Sequence, residues 1–135
     1  MQPTHTPVAT ELATTVPTTL RDAASYLARH GWIQGAYYNE QADAGLSPAA
    51  CTVGASAMVC YGSPVQAPAL MFEHPGFASF EAAVSYLDAT LRDECDQDSV
   101  YTWNDDRDRM VEEVLHMLSE VADTCEGEST LDGAT

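Results

Sequence analysis

Apolar residues recur at helical spacing from position 18 onward. Leu20, Ala23, Ala24 and Leu27 form one stripe, with Arg21, Asp22, Ser25 and Arg29 outside it. This predicts a helix that Thr19 caps and Gly31 ends in a left-handed turn. A second helix is predicted over 48–61, with Ser47 at its N-cap and Pro48 at its first position. Its residues carry no charge on any side, so it is expected to be buried all round, at the centre of the domain. Ser79 opens a third helix, 79–94, with Phe80, Ala83, Val84, Leu87 and Leu91 on one face and an Asp88–Arg92 pair outside. A fourth, 106–124, shows Met110, Val114, Met117, Leu118, Val121 and Cys125 as its core stripe.

The stretches between these helices carry turn chemistry. Gly31 to Tyr38 is a compact aromatic turn, read either as a short strand or as a fold over the core. Residues 39–47 are polar, and 62–78 contain Pro64, Pro68 and Pro75. Val100 to Trp103 reads as one short extended segment, and Asn104 or Asp105 as the cap of the last helix with Trp103 as its staple. Residues 1–17 read as a flexible arm, 18–125 as one helical domain and 126–135 as a flexible acidic tail. The expected fold is mainly α: a single compact domain of about four helices around a buried central helix, with one or two short strands.

Charge narrows what such a domain can do. The 135 residues hold 21 acids, five arginines and no lysine, for a net charge of −16 and a pI near 4.1. Direct binding to nucleic acid is disfavoured, because phosphates must be met by Lys or Arg. The same field opposes anionic membrane surfaces, and no apolar run reaches spanning length. Without a basic, apolar leader the chain is expected in the cytoplasm, with its four cysteines reduced. The charge is concentrated late: residues 93–113 carry nine acids against two arginines. Asp96, Asp98, Asp106 and Asp108 mark an acidic face that either keeps the protein soluble or mimics a nucleic acid for a basic protein partner.

Specific chemistry is sparse. Cys51, in the opening turn of the central helix, is a weak candidate nucleophile because a helix N-terminus lowers a thiol pKa. The order Gln34, Cys51, His74, Asn104 is similar to that of papain-like proteases, but only 23 residues separate Cys51 from His74. Asp96-Gln97-Asp98 opens like a calcium loop, yet Tyr101 stands where Gly is needed and Arg107 where the bidentate Glu belongs. Glu113-Val114-Leu115-His116 has di-iron spacing but occurs once. No metal and no cofactor are expected. Trp32, Gln34, Tyr37, Trp103, Asn104 and Asp105 combine aromatic walls with polar groups and form the candidate binding site between two turns.

The segments Gly31-Trp32-Ile33-Gln34-Gly35, Cys51-Thr52-Val53-Gly54-Ala55 and Trp103-Asn104-Asp105, followed by Arg109 and Glu112-Glu113-Val114-Leu115, resemble a small family of actinobacteria and their phages. That family is known only as a domain of unknown function. The resemblance spans about 18–124, with Met110 where Thr is usual. It implies one compact domain in bacterial cytoplasm, or in host cytoplasm where a phage carries it, and assigns no chemistry. The leading expectation is therefore a non-enzymatic acidic accessory protein that binds another protein. The alternatives are a small-molecule binder using the Trp32, Gln34, Trp103 and Asn104 turns, and a Cys51-dependent enzyme.

Overall fold

Periodic stripes become helices where they can be buried, and three of the five α-helices carry one. In a computed structural model, described over residues 9–39 and 48–134 with side chains over 15–39 and 48–128, these are α1 (Ala9–His30), α2 (Thr52–Tyr61), α3 (Phe77–Cys95), α4 (Val100–Asn104) and α5 (Val111–Ala134). A 3-10 turn, Pro68–Leu70, interrupts the long connection between α2 and α3. α1 packs against α2, α3 and α5, and α2 also meets α3 and α4. The core joins Leu20, Ala23 and Leu27 of α1 to Val53 and Ala55 of α2 and Phe80, Leu87 and Leu91 of α3. Val114, Leu118 and Val121 of α5 complete it. The mainly α, single-domain expectation holds, as does the buried central helix: every residue from Thr52 to Met58 is buried.

Several local expectations are corrected. α1 begins at Ala9, so the helix reaches back through residues assigned to a flexible arm; Pro17 lies inside it, and both Val16 and Pro17 are buried. The contacts of Val16 in the core outweigh the backbone bond that Pro17 cannot donate. At the other end α5 continues to Ala134 instead of fraying after 125. Arg21 holds Glu126 (2.9 Å) and Asp123 (2.7 Å), and the Tyr86 hydroxyl donates to Glu128, so the acidic tail is tied to the bundle. α5 also starts at Val111, not 106; the Met110 N–H donates to the Glu113 carboxylate at 2.8 Å, and Met110 itself is exposed. α3 starts at Phe77, ahead of Ser79, with Gly76 preceding it. Val100 to Asn104 is a helical turn and not extended, because Ser99 accepts from the Thr102 N–H and Asp88 from the Val100 N–H. Asp88, expected to pair with Arg92, thus accepts from the start of α4.

The central helix starts four residues late, for a reason that shapes the site. Residues 49–51 are extended and lie between two other segments. On one side Ala50 pairs in parallel with the 31–33 segment (Ala50 N–H to Gly31 O, 3.1 Å; Ile33 N–H to Ala50 O, 3.0 Å). On the other it pairs antiparallel with 37–39 (Asn39 N–H to Ala49 O, 2.9 Å; Cys51 N–H to Tyr37 O, 3.0 Å). These are isolated bridges and no strand forms among the described residues, so the aromatic turn folds over the start of α2 instead of making a short strand. Residues 40–47, with the proposed cap Ser47, lie outside the described residues; Cys51 is the N-cap that α2 uses.

Candidate functional site

The bridges at Ala50 hold the 31–39 turn against the start of α2, and α4 closes over both. The closure runs through one side chain. Asn104 is 1% exposed, and its Oδ1 accepts from the Trp32 indole N–H (2.7 Å), the Thr52 N–H (2.9 Å) and the Thr52 hydroxyl (2.6 Å). Its Nδ2 donates to Ile33 O (3.3 Å) and Asp105 Oδ1 (2.9 Å). Indole and backbone N–H groups cannot accept, so the amide has only one orientation here. Around it, the Gln34 amide donates to Asn104 O (3.0 Å) and Asp106 O (2.6 Å), and the Gly35 N–H to Asp105 Oδ1 (3.0 Å). Neither Asn104 nor Asp105 caps the last helix, because both are committed to this clasp.

The glycines are chosen for the same approach. A Cβ on Gly54 would lie 2.2 Å from the Tyr37 carbonyl oxygen, so α2 can meet the turn only with no side chain there. Gly31 and Gly35 have φ of 103° and 84°, which lets the turn double back at both ends.

The six proposed binding residues are thus brought to one region but divided among three tasks. Trp32 and Gln34 spend their polar groups on the clasp. Trp103 faces away from them, buried under Arg109, whose guanidinium carbon sits 3.9 Å from the ring centroid while its Nε–H donates to Trp103 O. Tyr37, Asn104 and Asp105 line a cleft of about 410 Å³ together with Gly35, Ala36, Cys51, Val53 and Tyr101. The reading from sequence missed Tyr101, Thr52 and Val53. Tyr101 lies three residues before Asn104, one helical turn away, a signal hidden by treating 100–103 as extended.

Cys51 is 6% exposed at the inner wall of this cleft, and its Sγ accepts from the Gly54 N–H at 3.2 Å. Burial pushes its thiol up and outweighs that bond, the reverse of the lowering expected from the helix N-terminus. His74 packs on the ring of Tyr61 at the opposite end of α2, and its Nδ1 accepts from the Gly76 N–H. Ten helical residues, about 15 Å, separate the two ends, so Cys51 and His74 form no pair. All four cysteines are free. Among the described residues no three His, Cys, Asp or Glu side chains gather as metal ligands, and no helix is long and apolar enough to cross a membrane.

Asp96 and Asp98 precede α4, and Asp106 and Asp108 follow it; all four are exposed. Asp106 also accepts from the Asp108 N–H at 2.9 Å, shaping the turn. A second groove, of about 550 Å³, runs between the end of α3 and the first half of α5. Leu91, Trp103, Met117 and Val121 line it, with Glu94, Glu113, Glu120 and Asp123 among the exposed residues around it.

No curated protein and no solved structure matches the chain. A family model does, over residues 11–124, a span that takes in all three segments meeting at Asn104. The chain belongs to the Family of unknown function (DUF6197).

Proposed function

We propose that the protein is a non-enzymatic accessory protein that acts by binding a basic protein partner. The observation that carries this reading is the groove between α3 and α5. Its apolar lining suits the methylene stem of Arg or Lys, and its acidic residues suit the charged head. The nine acids of 93–113 are all exposed and extend the same negative surface over the turns around α4. Arginines already meet two of the groove's acids, Arg21 holding Asp123 and Arg109, itself in the lining, holding Glu113, so Glu94 and Glu120 are the groove acids that a partner's cation would meet. Such a surface offers a partner the charge it would meet on a nucleic acid, so a nucleic-acid-binding protein is the partner proposed. Free thiols at all four cysteines support a reducing cytoplasm, bacterial or that of a phage's host.

The test is a dissociation constant for the partner co-purified from source cells, measured at low and physiological salt. Asp96, Asp98, Asp106 and Asp108, changed together to Asn, should weaken the complex while leaving the melting temperature in place, and so should Glu94→Gln with Glu120→Gln. Wild-type affinity should fall steeply with salt. Equal affinity for all three proteins at both salts would make the surface a solubility device only. A second reading, a small-molecule binder, is favoured by the separate cleft beside Tyr37.

A further inference from the structure

The Tyr37 and Tyr101 rings stand at 70° to each other with centroids 6.2 Å apart, and both line the 410 Å³ cleft. Their hydroxyls lie 3.3 Å apart and hydrogen-bond, which fixes the corner. Burial and that bond push the Tyr101 phenol above its usual range. Asp105 lines the same cleft, exposed, with both of its hydrogen bonds falling on Oδ1. Val53, Ala36 and the Cys51 side chain supply the remaining apolar wall.

Two aromatic rings near a right angle, a carboxylate and an apolar wall are the elements that receive a desolvated organic cation. Ring faces attract positive charge while apolar atoms take the alkyl groups, and the carboxylate supplies the counter-charge. A metal ion would find too few donors, and an anion would meet both Asp105 and a field of −16. The cleft volume falls within the range of small-molecule sites.

We propose that the Tyr37–Tyr101–Asp105 cleft binds the quaternary or methylated ammonium group of a small organic cation. This rests on the second reading above and uses none of the acidic groove.

The probe is choline, titrated by NMR and calorimetry beside its neutral isostere 3,3-dimethylbutan-1-ol, at matched ionic strength. Choline should shift the ring protons of Tyr37 and Tyr101, and the isostere should not. Tyr101→Leu should weaken choline binding about tenfold, the loss of one strong cation–π contact, while Tyr101→Phe keeps the ring and most of the affinity. The protein neutralised at Asp96, Asp98, Asp106 and Asp108 should bind choline within a factor of about two of wild type, a difference under roughly 0.5 kcal/mol. Equal binding of choline and isostere, unmoved ring protons, or unchanged affinity in Tyr101→Leu would overturn the proposal. Loss of choline binding in the quadruple variant alone would assign it to the acidic surface. Should Tyr101→Leu fail to fold, the ring shifts of the wild-type protein decide.

Discussion

Asn104 is the side chain whose removal should cost most, and the reason can be worked atom by atom. Asn104→Ala strands the Thr52 N–H and hydroxyl, on a residue with no exposed surface, and the half-buried Trp32 indole N–H. A buried donor left without a partner costs about 1–3 kcal/mol, so two fully stranded groups plus the partial loss at Trp32 come to about 3–5 kcal/mol. With an unfolding entropy of about 2.1 cal/mol/K per residue, a chain of 135 residues should melt roughly 10–18 °C lower. Asn104→Asp isolates the other half of the clasp. It keeps the acceptor toward Trp32 and Thr52 but replaces a donor facing Ile33 O and Asp105 Oδ1 with an oxygen. Burial and the facing Asp105 carboxylate push the new carboxyl up against the three donors that hold its other oxygen, so the variant is expected nearest wild type below the unfolded carboxyl pKa of about 4. It then loses ground as pH rises through the folded value. Circular-dichroism melts of both variants at pH 5 and pH 8 are the assay. An Asn104→Ala melt within a few degrees of wild type would refute the clasp as a source of stability. An Asn104→Asp deficit equal at both pH values would refute the placement of Nδ2 against two acceptors.

Gly54→Ala should cost about 1–3 kcal/mol, because its Cβ meets a carbonyl oxygen that is itself bonded to Cys51 N–H and cannot retreat freely. Gly127→Ala, in α5 with open space around it, should be neutral or stabilise by about 0.5–1 kcal/mol, and urea midpoints of the pair check the contrast. In alkali the protein should weaken early: burial raises Tyr38 and Tyr61 to about 12 and Cys60 to about 11, and raises Tyr86 and Tyr101 too. Their unfolded values are lower, so this stability is full below about pH 9 and lost as pH climbs through the folded values. Melting temperature against pH, read beside phenolate absorbance, checks it; a flat profile to pH 11 would show that these rings are not buried as described.

What the sequence revealed was the part of the fold that obeys a period. The stripes of α1, α3 and α5 were visible because Leu20 and Leu27, Leu87 and Leu91, and Val114 and Leu118 repeat at helical spacing and are buried together. α2 was visible for the opposite reason, an absence of charge. Helix ends were misplaced where a side chain prefers a distant partner to a local role. Asn104 has the composition of a cap, and Asp88 that of an i,i+4 pair, but Trp32, Thr52 and Val100 claim them. No local rule encodes a bond across 72 positions. The candidate site was legible as a meeting of two turns, because aromatic and amide side chains clustered in both. Its division into a clasp and a cleft was not, since that depends on which way each ring faces.

The clasp also has a consequence for how the chain is made. Trp32, Ile33 and Thr52 leave the ribosome well before Asn104, which follows Thr52 by 52 residues. At about 5–20 residues per second the interval is roughly 3–10 s, during which the 31–39 turn and the start of α2 have their donors open to water. Folding therefore cannot proceed from the amino end one element at a time. The nascent first half has to wait for α4, and a nascent-chain experiment should find protease resistance appearing in one step only after Asn104 has emerged.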